Sequence, residues 1–459
     1  LSPDGATLYV AAMASNKIGI LNTQALEQAT FTPDASSQIV LPAAGPTGVL
    51  LNAAGSRLFV TSRFDNSVSV IDVTSRQVIK TQAMFTPEPQ SVVEGRRFLY
   101  DADLTSANGE SACGTCHVFG DTDALSWDLG NPDDTMLAKP INQETPGLQP
   151  SSEPFHPMKG PMSTQTLRGI ADHGPMHWRG DRTGDDPATV NGATESRESA
   201  AFKAFNSAFV SLVGREAPLD DSQMQEFTEF ALQIVLPPNP IRALDNSLTA
   251  QQQQGHDIYM NEFTTQVVGT CNTCHDVDTA KRRFGSDTTL TNEGGRVSQD
   301  FKVPQLRNLY QKVGRFDDGD EQIRGFGFLH DGSEPTLLKF LNSSVFSFSS
   351  DANRNLVTDF VFAMQSNLAP IVGQQVTVTA DNAEAASGRL DLLMERAQVN
   401  ECDLVASAVI DGTAVLAVAQ SATQFVMKGG AEISKSQLVQ EALPVTFTCY
   451  PPGNAQRLL

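Results

Sequence analysis

Cys113-Gly-Thr-Cys116-His117 recurs later in the chain as Cys271-Asn-Thr-Cys274-His275, and the two copies use four of the six cysteines. Two thiols separated by two residues and followed at once by a histidine form the attachment site of c-type haem. The thiols add to the porphyrin vinyl groups and the imidazole takes an axial position on the iron. Two copies make a di-haem chain and ask for two haem-enclosing domains. Joining the two Cys-x-x-Cys pairs into one zinc site is the competing reading, and it leaves both trailing histidines without a purpose. A third reading, a pair of redox dithiols, lacks the βαβ pattern that surrounds such motifs.

At 459 residues the chain exceeds one hydrophobic core and is expected to hold two to four domains. Its 40% hydrophobic content is that of a globular protein, and no apolar run is long enough to span a bilayer. The formal net charge of -21 repels a nucleic-acid backbone. It suits a basic protein partner, or simply keeps the chain in solution. The chain opens on Leu1-Ser-Pro-Asp-Gly, in the middle of a repeat unit, so further sequence upstream is expected.

That unit is Asp4-Gly5-Ala6-Thr7-Leu8-Tyr9-Val10 followed by Asn16-Lys-Ile18-Gly-Ile20. It returns as Ala54-Gly55-Ser56-Arg57-Leu58-Phe59-Val60 followed by Asn66-Ser-Val68-Ser-Val70. Each copy reads as a glycine turn, a β-branched and aromatic strand, a polar turn centred on Asn, and a second alternating strand. The copies resemble the YVTN family of β-propeller repeats, which implies blades over residues 1–90. Two blades cannot close a ring of at least about four. Either more blades precede Leu1, or the strands pack on the rest of the chain.

Residues 91–245 carry the first haem motif. The run from Gly95 through Phe98, Leu99, Asp101, Leu104 and Ser111 to Cys113 resembles the lead-in to the first haem of the bacterial di-haem cytochrome c peroxidases, the family that also contains MauG. Phe119 to Pro154 shows no regular period and reads as an irregular loop, with Trp127 as its anchor or as a haem contact. His156-Pro-Met158-Lys159-Gly160-Pro161 resembles the family segment that supplies the distal ligand of the first haem, which implies His156 in that role and Met158 as the alternative. His177-Trp178-Arg179-Gly180-Asp181-Arg182 resembles the family's Phe-Trp-Asp-Gly-Arg, which implies Trp178 as an electron relay between the haems. His173, Met176 and His177 crowd the same segment, as ligands or as lining of a haem edge. The family's distal Gln is absent here, and Glu216 is the nearest acid for its catalytic Glu. Met224, Phe227, Ala231 and Ile234 recur at helical spacing between the cap candidates Asp220 to Ser222 and the stop at Pro237, predicting a core helix.

Residues 246–370 carry the second motif. Thr249 caps a helix with Gly255, Ile258 and Tyr259 on one side, and the glycine is expected to admit a partner helix at Leu356 to Gln365. Phe301-Lys-Val303-Pro304-Gln-Leu306-Arg307-Asn308 and Phe328-Leu329-His330-Asp331-Gly332 resemble further family runs. Gly325-Phe326-Gly327 replaces the family's Thr-x-Pro at a calcium site between the haems, so one calcium ion stays an open option. Relatives place a Met or Tyr ligand for the second haem fourteen residues past that histidine, where this chain has Ser344. A neutral serine hydroxyl is a poor iron ligand. The second haem is therefore expected to be five-coordinate, or to take a ligand such as Met364.

Residues 371–459 read as a small β-rich region with one helix near Ser387 to Gln398. Haem of the c type is attached outside the cytoplasm, so Cys402 and Cys449 are expected to form a disulfide in an oxidising compartment. The fold class expected is multidomain: propeller-like blades, two mainly α cytochrome c-type haem domains and this β-rich end. The resemblance implies a periplasmic or extracellular di-haem peroxidase taking electrons from a small redox protein, a cytochrome c or a copper protein. A non-enzymatic electron-transfer protein and a MauG-like oxidase are the alternatives.

Overall fold

A computed structural model of the chain describes all residues except 42–43, 131–132, 134, 137–159, 172, 186–188, 191–192, 266–268, 282, 287–289, 293–299, 314–326, 442–443 and 459. Two compact units divide it, one formed by 1–131 with 164–234, the other by 132–163 with 235–459.

The first unit begins with two antiparallel meanders. One sheet contains β1 (Thr7–Ala12), β2 (Lys17–Asn22) and β3 (Gln38–Val40); the other contains β4 (Pro46–Leu51), β5 (Arg57–Ser62), β6 (Ser67–Asp72) and β7 (Gln77–Ala83) in that order. The β1–β2 and β5–β6 turns each place an Asn in the left-handed region, Asn16 at φ 52° and Asn66 at φ 47°. Asn tolerates that conformation better than other residues with a Cβ, which is why the repeat has it there. Period-two alternation sends Leu58, Val60 and Ile71 into one core with Ile18, Ile39 and Leu41 of the first sheet. β1, β2, β5 and β6 are the strands expected and β3, β4 and β7 are additional, but neither sheet closes into a ring among the described residues. Two sheets bury one face against each other, and the opposite face of the second leaves Leu50 and Phe59 exposed.

The sheets are tied to the helical part of the unit by polar contacts. Asn16 donates from Nδ2 to Asp101 at 3.0 Å and accepts from the Gly45 amide at 2.9 Å, while the Ala102 amide donates to the Ala14 carbonyl at 2.9 Å. Arg63 grips Glu88 through both terminal nitrogens at 2.7 and 3.0 Å, and buried Arg96 shares the same carboxylate. Helix Gln90–Tyr100 then packs on helix Asp221–Leu232, which is capped by Asp220 as its sequence predicts. The crossing is close because residue 95 is glycine: a Cβ there would lie 2.1 Å from the Glu226 carbonyl oxygen. Phe98, Leu99, Phe202, Phe227 and Ala231 fill the core between these helices.

The second unit repeats the device. Helix Ala250–Asn261, capped by Thr249, crosses helix Asp351–Phe362, and a Cβ on Gly255 would lie 1.9 Å from the Leu356 carbonyl oxygen. The glycine contact and the partner helix are both the ones expected. Tyr259, Val357, Phe360 and Met364 form the core there. The C-terminal region is a six-stranded antiparallel sheet ordered 375–378, 445–450, 403–410, 413–419, 424–427, 432–434. Helix Ala383–Gln398 lays Leu390, Leu393 and Met394 on Phe425 and Phe447, and Cys402 and Cys449 are joined as expected with their Cα atoms 5.3 Å apart.

Candidate haem sites

Cys113 to Cys116 form one helical turn, and the His117 amide donates to the Cys113 carbonyl at 2.9 Å. Cys271 to Thr273 form the equivalent turn, and the His275 amide donates to the Cys271 carbonyl at 3.0 Å. A tight turn keeps the two cysteines and the histidine close together, as attachment to one macrocycle requires. The first turn lies against the Gln90–Tyr100 helix, and Gly114 allows this: a Cβ there would meet the Tyr100 ring at 2.6 Å and the Leu99 carbonyl oxygen at 2.9 Å. The second is held by fully buried Tyr259, whose hydroxyl donates to the His275 carbonyl. Burial pushes the Tyr259 phenol well above its usual pKa and keeps it a donor.

Both imidazoles are oriented in the same way. His117 Nδ1 lies 2.8 Å from the Gln165 carbonyl oxygen, and His275 Nδ1 lies 2.7 Å from the Gly285 carbonyl oxygen and 3.2 Å from that of Pro304. A carbonyl can only accept, so Nδ1 carries the proton and the lone pair sits on Nε2, the nitrogen an iron would take. Such a bond also fixes the ring plane and raises the basicity of the ligand nitrogen. Burial lowers the His117 pKa, favouring the neutral imidazole that metal binding needs.

The cysteines fit the same group. All four stay outside any disulfide, while Cys402 and Cys449 form one. Burial pushes the Cys113 thiol up to about 11 and raises that of Cys271, although both side chains stay partly accessible, as sulfurs facing a crevice would be. Among the described residues no three His, Cys, Asp or Glu side chains gather into a metal-binding cluster. The residues present fit two c-type haems.

The remaining candidates are spread over both units. Trp178 is 7% exposed, at the tip of a narrow loop whose ends, Met176 and Arg182, bridge through backbone bonds. Inside that loop His177 has φ 75°, and its Nδ1 lies 2.6 Å from Asp181. Its ring meets Phe205 edge-on, and Arg182 covers the same phenylalanine. Burial lowers the guanidinium of Arg179 to about 10. His173 and Met176 are buried, Met176 in the core with Phe202 and Phe209. Glu216 is exposed in the loop before the Asp221–Leu232 helix. His156 and Met158 lie outside the described residues, as does most of the Gly325–Gly327 segment considered for calcium.

In the second unit Ser344 is exposed on a turn and Met364 is buried in the helical core. His330 stacks on Phe301 with ring centroids 4.4 Å apart, and its carbonyl accepts the Ser163 amide at 2.6 Å. Lys302, on the segment that gives Pro304 to His275, is crowded enough that burial lowers its amine to about 8.

The carbonyls of Gln165, Gly285 and Pro304 are the functional groups that sequence reasoning missed. Backbone acceptors carry no residue identity, and the only sequence trace is that Pro304 falls inside a run that resembles the family.

No protein-family model and no curated protein matches the chain. Solved structures that resemble it include a hydrazine synthase of Kuenenia stuttgartiensis, 18% identical over 62% of this chain and 98% of that chain, with a TM-score of 0.41. A MauG-like protein associated with microbial copper homeostasis is 15% identical over 60% of this chain and 88% of that chain, TM-score 0.34. The diheme peroxidase BthA of Burkholderia thailandensis is 16% identical over 69% of this chain and 94% of that chain, TM-score 0.30.

Proposed function

We propose that the chain is a di-haem c-type redox enzyme of the peroxidase type, working outside the cytoplasm with electrons from a small redox protein. The observation that carries this reading is the duplicated cradle: two cysteines on one turn and an adjacent imidazole whose Nδ1 is committed to a backbone carbonyl, once at His117 and once at His275. Each haem, when bound, would supply an iron that exchanges single electrons and reacts with peroxide. Cys113 and Cys116, and Cys271 and Cys274, would anchor the two haems as thioethers, and His117 and His275 would ligate the two irons. By the family resemblance, His156 or Met158 would supply a further ligand to the iron held by His117. Trp178 is enclosed by protein and offers a large oxidisable ring for relaying single electrons. Reduction of one peroxide to two waters consumes two electrons and two protons, so a two-centre chain suits the stoichiometry. The two N-terminal sheets are read as blade-type units of a repeat.

The test is production in a host that matures c-type cytochromes, followed by a haemochrome assay and by stopped-flow mixing with peroxide and a reduced cytochrome c. Two haems per chain and oxidation of two cytochromes per peroxide are expected. A low-spin EPR signal from both irons without turnover would make the chain an electron carrier instead. Turnover confined to an added organic or protein substrate would make it a MauG-like oxidase.

A further inference from the structure

The N-terminal repeat places matching residues 50 positions apart, and the two repeats differ in what covers them. Leu8, Tyr9 and Val10 of β1 correspond to Leu58, Phe59 and Val60 of β5, and Ile18, Ile20 and Leu21 of β2 to Val68, Val70 and Ile71 of β6. The strands pair in the same register both times. Tyr9 lies opposite Ile20 as Phe59 lies opposite Val70, and Leu8 opposite Leu21 as Leu58 lies opposite Ile71. Side chains alternate along a strand, so each sheet presents the same two faces, one bearing Tyr9 or Phe59 and the other bearing Val10 or Val60.

The two sheets meet by unlike faces. Tyr9, Ile18 and Ile20 of the first sheet share one core with Leu58, Val60 and Ile71 of the second. One face of each kind lies outside that core: Leu8, Val10 and Leu21 on the first sheet, and Phe59, Val68 and Val70 on the second. Val60 is fully buried, while its counterpart Val10 is 42% exposed. At the other end Phe59 is 38% exposed, and Leu50, its cross-strand neighbour on β4, is 70% exposed. A stack of repeats normally ends in units whose outer face has turned polar. At these six repeat positions both outer faces keep apolar residues. They are also complementary by the chain's own example, because the core between the sheets joins a face of each kind. Contact between unlike faces is heterologous and can be repeated from copy to copy.

We propose that the chain associates head to tail with a second copy of itself, the Phe59 face of one copy's second sheet covering the Val10 face of the other copy's first sheet. The new seam reproduces the one between the two sheets, with Phe59 in the place of Tyr9 and Val10 in the place of Val60. Two copies joined at both seams bring together the roughly four sheets that a closed ring needs. The proposal stands apart from the redox chemistry above.

Sedimentation velocity of the haem-loaded chain over a range of concentrations tests this. The parent is expected to sediment as two or more copies. Phe59→Glu and Val10→Glu should each sediment as a single copy, association being weakened about a hundredfold by an unpaired carboxylate buried in the seam. An equimolar mixture of the two variants should form a dimer again, since each retains the face that the other has lost. Far-UV circular dichroism matching the parent's shows that the strands persist; where a glutamate unsettles its strand, Phe59→Thr and Val10→Thr replace the pair, threonine being a good strand former. A parent that sediments as one copy would leave both faces to another occupant and overturn the proposal. Association that survives in either single variant, or folded variants that stay monomeric when mixed, would overturn it as well.

Discussion

Glu88 shows how a single side chain can join two layers of the first unit. Burial pushes its carboxyl up, but the Arg63 hydrogen bond and the charges of Arg96 and Arg63 outweigh that and hold it below its usual value. A carboxyl with a lowered folded-state pKa stabilises the fold above its unfolded value of about 4.5, and that contribution is lost as pH falls through the folded value. Glu88→Gln should therefore lower the melting temperature at neutral pH and flatten the acid limb of the stability curve. An unchanged acid limb would mean that the pair of arginines contributes nothing across that interface. The proposed haem ligands show the complementary case. His117 and His275 were legible in sequence because the chemistry is written in adjacent letters, whereas the acceptors that set their tautomers lie at residues 165, 285 and 304 and are backbone atoms. His156, Met158 and Glu216 came from resemblance alone; the first two fall outside the described residues and the third is exposed.

At the scale of elements the chain uses one solution twice. A helix leading into each Cys-x-x-Cys-His turn crosses a later helix at a glycine, Gly95 over Glu226 and Gly255 over Leu356. Adding a methyl group at either place drives it into a backbone carbonyl of the partner helix, which cannot swing aside as a side chain could. Gly95→Ala and Gly255→Ala should each cost about 3 kcal/mol, at the upper end of overpacking penalties and against the small gain in helix propensity. Thermal unfolding of the haem-loaded variants measures this, and a melting temperature equal to the parent's would show that the helices can separate without cost. Helix identity was legible here because caps and apolar spacing are local: Asp220 and Thr249 were readable as caps, and both cap their helices with reciprocal Gln contacts. The N-terminal strands were equally legible from alternation and from Asn at the turns. Their assembly was not, because a repeat states what one unit looks like and leaves open how many neighbours cover it.

Over the whole molecule, the C-terminal region has a core of its own, closed covalently by Cys402–Cys449 across a sequence separation of 47. In the chain-entropy treatment a loop of that size contributes about 4 kcal/mol. Replacing both cysteines with serine should lower the unfolding free energy of the C-terminal sheet, read from urea titration, by about that amount, while the absorption spectrum of the haem-loaded chain stays unchanged; a simultaneous loss of haem absorbance would show that this region supports the proposed haem sites. The acidic excess behaves differently at this scale. As a total it indicated only repulsion from nucleic acid, while the structure pairs individual carboxylates locally, Asp121 with Arg168 and Asp123 with the Trp127 indole.

The sequence by itself determined the two Cys-x-x-Cys-His motifs on which the haem reading rests, the capped helices, the glycine that admits a partner helix, and the pair of cysteines left over for a disulfide. All of these are set by residues close together in the chain or by residue types with a single common use. Only the tertiary structure decided which carbonyls orient the two histidines, that the repeat strands form two open sheets, and that the loop after the first motif faces outward. Those outcomes depend on contacts between distant segments, where backbone atoms without identity and the competition for buried surface settle what no local pattern can.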